Sequence, residues 1–257
     1  MELKLFIAGC IFLVLAIVMQ IAKKRFIKGK PTKVFDDVYS WVDTLWTALI
    51  IASVIMYFFL QAFKIPTGSM RMTLLEKDHL FAMKFVYGLR IPFTDGKRIF
   101  PLKQVERGDV VIFQCPPSAL SDAEKAQNVK KDYIKRCVAL AGDKVEIKNK
   151  VLYVNDVLVE EDYTNFDDIN MYPKIDIANS QEEYQTAWEK GDFALLPVSM
   201  IRDNFGPVVV PDGHYMVLGD NRDYSFDARF WGPLPDKYMK GKALVVYWPL
   251  KRVKLIH

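Results

Sequence analysis

Ser69 and Lys135 are the two side chains whose types and settings suit nucleophilic chemistry on a carbonyl. A serine hydroxyl is a weak nucleophile and needs a base to take its proton. Histidine is the usual base, but His79 and His214 sit in strand-like runs with no nucleophile motif beside them, and His257 lies at the end of the sequence. No His-x-x-x-His or Cys-x-x-Cys spacing supports a metal-bound water, so no metal or other cofactor is expected. An unprotonated lysine is the remaining base. A free lysine is charged at neutral pH, so its pKa must fall by about three units, which apolar burial can achieve. Lys135 lies within Tyr133-Ile134-Lys135-Arg136-Cys137-Val138. Strand alternation there puts Tyr133, Lys135 and Cys137 on one face and turns Arg136 the other way, toward solvent.

Ser69 belongs to Ile65-Pro66-Thr67-Gly68-Ser69-Met70. Proline and glycine flanking hydroxyl residues suit a tight turn that presents a side chain. Gly68 allows a close approach of backbone to substrate, and the Ser69 N–H is placed to meet a developing oxyanion. A third polar segment, Gly219 through Gly232, follows the apolar run Tyr215-Met216-Val217-Leu218. In it, Ser225 could orient a lysine amine, and Asp227 with Arg229 could lock the loop as an ion pair. Taken singly, each segment also fits a plainer reading: a linker, a solvated strand lysine, and a hydrophilic turn whose charge pairs add little stability.

The elements that must position these residues fall into two parts. Residues 5–22 and 44–63 carry no charge, and each is long enough to span about 30 Å of hydrocarbon as a helix. The first lacks an Ala-x-Ala site, and most of its apolar residues follow Cys10, so a retained helix fits better than a cleaved leader or a lipoprotein box. Residues 1–64 thus read as a membrane anchor with helices over about 4–22 and 44–63. The loop between, 23–43, carries Lys23, Lys24, Arg25, Lys28, Lys30 and Lys33 against Asp36, Asp37 and Asp43, which places it in the cytoplasm. The domain that follows then starts at the outer membrane face.

Residues 65–257 read as mainly β, with short strand-like runs at 79–84, 109–115, 132–140, 144–148, 214–218, 243–248 and 252–256. Asn155-Asp156 suits a two-residue hairpin turn, while Ser121/Glu124 and Ser180/Glu183 look like capping boxes. The stretch 160–207 is less regular and reads as a peripheral insertion. A net charge of +4 with dispersed basic residues gives no nucleic-acid footprint. Cys10, Cys115 and Cys137 form no disulfide framework, although a Cys115–Cys137 bridge stays open.

Together the segments resemble the type I signal peptidase family. Ile65 through Met70 is similar to its nucleophile box, Arg107-Gly108-Asp109-Val110-Val111 to its second box, Tyr133 through Arg136 with Gly142-Asp143-Lys144-Val145 to its lysine box, and Gly219 through Arg229 to its Gly-Asp-Asn-Arg box. The resemblance covers about 65–232, and two preceding membrane helices are similar to the Gram-negative arrangement. Met72, Tyr224 and Ala228 depart from the usual proline, asparagine and serine.

The resemblance implies a Ser/Lys endopeptidase with a β-rich catalytic domain behind two transmembrane helices. Such an enzyme is held in the bacterial inner membrane with its domain on the periplasmic face, and cuts signal peptides from exported preproteins after Ala-x-Ala-like sites. By position it makes Ser69 the nucleophile and Lys135 the general base. The Thr67 hydroxyl and Ser69 N–H become the oxyanion hole, Ser225 the partner of the lysine, and Asp227 with Arg229 the support of the site. Ile65, Leu74, Tyr133 and Ile134 match positions lining the pockets for small residues. The implied partners are preproteins and the lipid bilayer, with no nucleic acid and a monomeric state. Two other readings are weighed: a self-cleaving relative of the LexA-type repressors, disfavoured because membrane helices stand where a DNA-binding segment would, and a tethered β-domain that binds without catalysis.

Overall fold

The structure is a computed structural model that describes residues 2–25, 33–90, 94 and 98–257. The chain divides into two compact units, 1–61 and 62–257. In the first, α1 (Glu2–Arg25) and α2 (Lys33–Phe58) pack as an antiparallel pair. Gly9 permits the close approach, because a methyl group there would meet Ile50 Cδ1 at 2.9 Å. Within α2, Asp36–Met56 is long and apolar enough to cross a membrane, whereas the apolar stretch of α1, Ile7–Ile21, is shorter. Only one span therefore meets that test among the described residues, where the sequence suggests two. The second helix also lies earlier than the expected 44–63. It starts at Lys33 and stops at Phe58, because Leu60–Lys64 is taken up as a strand. Lys28 and Lys30 of the expected basic loop lie outside the described residues.

The second unit is built from β1 (Leu60–Lys64, which begins at the unit boundary), β2 (His79–Met83), β3 (Leu89–Arg90), β4 (Arg98–Ile99), β5 (Val110–Gln114), β6 (Asp132–Ala139), β7 (Lys144–Lys148), β8 (Val151–Val154) and β9 (Val157–Leu158). After these come β10 (Phe205–Val209), β11 (His214–Leu218), β12 (Leu234–Pro235), β13 (Met239–Trp248) and β14 (Lys254–Leu255). The main sheet runs β1-β2-β13-β5-β6-β11-β12, with β14 paired to β13, and a smaller sheet runs β10-β7-β8-β9. Four short helices fill the connections: α3 (Asp122–Ala126), α4 (Gln181–Lys190), α5 (Val198–Ile201) and α6 (Ala228–Trp231).

Local chemistry sets several of these boundaries. The Ser121 hydroxyl accepts from the Glu124 N–H while the Glu124 carboxylate accepts from the Ser121 N–H, so the capping box opens α3. The Ser180 hydroxyl caps α4, and Gly191 closes it in the left-handed conformation. Asn155 and Asp156 carry φ of 53° and 65°, the pair of positive values that a two-residue hairpin with inverse turn twist requires.

The main sheet has apolar cover on both faces. On β5, Val111 and Phe113 enter the larger core, whereas Val110 and Ile112 enter a second core with Ile65, Met70, Leu74, Leu80 and Val246. A strand buried on both sides reads as a continuous apolar run, which is what Val110 to Phe113 shows. β6 lies between β5 and β11, so it inherits the same double cover. The stretch 160–207 is not peripheral: Trp188, Phe193, Ile201 and Phe205 all belong to the larger core. Its irregular pattern hid this because its buried residues sit on short helices and turns rather than on one long periodic element.

Candidate active site

β6 delivers Lys135 from the middle of the sheet, and the turn after Ile65 delivers Ser69. Ile65 anchors that turn, exchanging main-chain hydrogen bonds with Asp78 and Lys77, and is 4% exposed. The Lys135 Nζ lies 2.6 Å from the Ser69 Oγ. Lys135 is 5% exposed. Burial pushes its ammonium down to about 8, against the pull of Asp227 and then Asp220, which raise it. The dominant cause is loss of hydration, which disfavours the charged form.

The pair sits in an open groove of about 930 Å³. Phe63, Ile65, Tyr133 and Ile134 line it, with Pro66, Thr67, Gly68 and Met70, while Asn221, Tyr224 and Phe226 also contribute. Thr67 is exposed, and the Ser69 N–H makes no backbone hydrogen bond among the described residues. Along β6, β11 pairs with the stretch from Arg136 to Ala139, and among the described residues no strand pairs with Asp132–Lys135 on that side.

Leu74 does not line the groove. It is fully buried in the second core, because the tight turn that hydrogen-bonds its N–H to the Met70 carbonyl directs it inward. Met72 is also absent from the groove wall, with φ at 81° and its side chain mostly exposed. A proline, fixed near −65°, could not adopt that backbone.

The expected hydrogen bond from Ser225 to the lysine is not formed. Its buried hydroxyl lies close enough to the Asp227 carboxylate to favour the ionised form, yet meets no partner in hydrogen-bonding geometry among the described residues. It lies against Gly219 instead. A methyl group on Gly219 would stand 2.2 Å from the Ser225 Oγ and 2.6 Å from the Ser69 carbonyl oxygen. The Asn221 N–H donates to that same carbonyl at 3.1 Å, so the loop holds the Ser69 backbone directly.

Asp227 and Arg229 are both buried and bonded twice. Arg229 Nε donates to Asp227 Oδ1 at 2.8 Å, and an Nη to Oδ2 at 2.9 Å. Asp227 Oδ2 also accepts from the Gly219 N–H at 3.1 Å. Burial pushes the Asp227 carboxyl up, but the Arg229 charge and hydrogen bonds outweigh it and hold the group below the usual carboxylate range.

Two features of this centre escape the sequence reading. Arg136 is not solvated: it is 3% exposed and pairs with Asp220 at 3.0 and 2.8 Å. Alternation turned it from Lys135 correctly, but the opposite face of β6 is also covered, and the charge is balanced from the distant loop. The second feature is the strap at 161–168, from which the Glu161 and Asp167 carboxylates reach Arg222 and Asn221 of the Gly219–Asp227 loop. The density of acidic residues there was the available signal. Cys115 and Cys137 are free thiols, and burial pushes them up to about 11 and about 12.

A family model described as signal peptidase, peptidase S26, matches residues 38–248. A probable signal peptidase I-2 of Synechocystis is 33% identical over 220 residues, covering 84% of this chain and 78% of that protein. The signal peptidase I of Pseudomonas aeruginosa is 33% identical over 224 residues, covering 80% and 72%. That of Rickettsia typhi is 34% identical over 221 residues, covering 78% and 76%. The chain belongs to the signal peptidase (peptidase S26) family.

Proposed function

We propose that this chain is a membrane-bound serine endopeptidase that removes signal peptides from exported preproteins, with Ser69 as nucleophile and Lys135 as general base. The observation that carries the reading is the 2.6 Å contact between Ser69 Oγ and a buried Lys135 Nζ in the wall of an open groove. When neutral, the amine accepts the hydroxyl proton as Oγ attacks the scissile carbonyl carbon. The resulting oxyanion is met by the Ser69 N–H and the Thr67 hydroxyl. The lysine ammonium then gives its proton to the leaving amine as the C–N bond breaks. Water, deprotonated by the neutral lysine, attacks the acyl-serine, and the proton returns to Oγ as the signal peptide is released.

The substrate side follows from the groove walls. The open edge of Asp132–Lys135 can bond an extended peptide through its backbone. Ile65, Tyr133 and Ile134 then confine the side chains before the cut, which suits the small residues of an Ala-x-Ala site. Leu74 acts only from behind this wall. Exposed apolar side chains along the helices, among them Ile11, Val14 and Val18 on α1 and Ile51, Val54 and Ile55 on α2, support contact with lipid. We read both helices as spans, the loop between them as cytoplasmic, and the catalytic domain as periplasmic.

The test is incubation in detergent with a labelled preprotein and sequencing of the new N-terminus. Cleavage after Ala-x-Ala by the parent, and none by Ser69→Ala at equal folded concentration, is expected. Undiminished cleavage by Ser69→Ala would overturn the assignment. Gly219→Ala tests the loop: its methyl must displace Ser225 or the Ser69 carbonyl. A misplacement near 1 Å costs about 100-fold in turnover, so kcat should fall by that order while far-ultraviolet dichroism stays native.

A further inference from the structure

The stretch 161–168 lies against the loop that holds Ser69. Asn165 pairs in parallel with Asn221, its N–H donating to the Asp220 carbonyl at 2.8 Å and its carbonyl accepting from the Arg222 N–H at 3.0 Å. Asp167 accepts from the Asn221 amide at 3.0 Å. At the head of the strap, the Glu161 Oε1 bonds an Arg222 Nη and also accepts the Tyr163 hydroxyl at 2.7 Å. Arg222 Nε in turn donates to the Gly219 carbonyl at 3.1 Å. The Tyr163 ring lies over the Arg136 guanidinium, 3.8 Å from its centroid, and Arg136 pairs with Asp220.

We propose that Glu161 is a positioning residue for the catalytic centre, acting through Arg222 on the Gly219 carbonyl. The inference rests on the reading of Ser69 and Lys135 as the reacting pair. Glu161 is the one acidic partner of Arg222 among the described residues, and the Arg222 side chain is 3% exposed. Arg222 Nη1 has no partner among the described residues, so the guanidinium is held by Glu161 on one side and the Gly219 carbonyl on the other. Gly219 has no slack, since it lies against both Ser225 and the Ser69 carbonyl. Loss of the Glu161 charge therefore frees a buried cation that fixes the loop under the nucleophile.

Glu161→Gln should lower kcat on a labelled preprotein by about tenfold to 100-fold with KM unchanged. Glu160→Gln, exposed and next in sequence, should leave both unchanged. Arg222→Gln added to Glu161→Gln removes the unpaired buried charge, so the thermal midpoint should return toward that of the parent. Its kcat should stay low, because the Gly219 carbonyl has still lost its donor. A merely structural role would let kcat recover with the midpoint. That recovery, or a Glu161→Gln kcat within twofold of the parent, overturns the proposal. If Glu161→Gln does not fold, the double variant alone decides, and a parental kcat in it overturns the proposal. Lys135→Ala separates the two readings: its normal processing would sink the dyad, whereas an inactive Lys135→Ala beside a fully active Glu161→Gln would sink only the strap.

Discussion

Lys135→Met is expected to abolish processing and, at neutral pH, to make the domain more stable. The activity loss should be on the order of 10⁴-fold or more, as when a nucleophile's only base is removed. The gain in stability follows from the same burial that makes the lysine a base. Its pKa is lowered from 10.5 to about 8 in the folded chain. Each unit is worth 1.36 kcal/mol, so below pH 8 the folded state carries a penalty of roughly 3 kcal/mol relative to a solvated lysine. Between about 8 and 10.5 the unfolded chain binds more protons than the folded one, so the stability of the parent rises with pH across that window. Above it the penalty is gone. The advantage of the Met variant should therefore be greatest below pH 8 and shrink toward pH 10.5, read as denaturant midpoints at several pH values. The kinetics share this origin: kcat/KM of the parent should climb about tenfold per pH unit up to about 8 and then level. A profile flat from pH 6 to 9 would remove the lysine from its role.

The parts of the fold set by local chemistry are legible in the sequence, whereas the 66-residue separation of Ser69 and Lys135 is bridged only by the resemblance of the segments taken together. Asn155-Asp156 and the Ser121/Glu124 box specify their turns and caps within a few residues, and both form as expected. The alternation that sets Lys135 and Arg136 on opposite faces of β6 is also local. What alternation cannot carry is how each face is covered. Arg136 read as solvated because the partner that lets its charge be buried, Asp220, comes from a loop far along the chain. Leu74 read as a pocket residue because its position in a resembling motif does not reveal which way the turn after Met70 points it. The strap at 161–168 read as peripheral because it works through one isolated main-chain pairing and single side-chain bonds, and such contacts have no period to detect. Ser225 shows a related limit. Its place beside Gly219, where a methyl group would stand 2.2 Å from its Oγ, depends on a close packing that residue types alone do not encode.

Asp227→Asn joins the stability of the loop to the protonation of the lysine, and is expected to lower both the melting point and the lysine pKa. Asp227 and Arg229 are almost wholly removed from water and bonded through two parallel hydrogen bonds. Taking the charge from one partner strands the other, which costs about 3–5 kcal/mol in a buried pair. The variant should melt well below the parent, and maximal kcat should fall as the Gly219 N–H and the Arg229 head group lose their shared anchor. The carboxyl of Asp227 is held below the usual carboxylate range, so its pairing stabilises the fold above the unfolded carboxylate pKa and is lost as pH falls. The Asn variant lacks that pH dependence altogether. Asp227 is also first among the charges that raise the Lys135 pKa, while Arg229 lowers it. Removing the carboxylate and leaving the guanidinium drives the lysine further down. The acid limb of kcat/KM should therefore move below pH 8 even though the plateau drops. Partial unfolding would lower the plateau without moving the limb. A limb left at about 8 in a folded Asp227→Asn protein would mean that the loop supports Ser69 mechanically but does not tune its base.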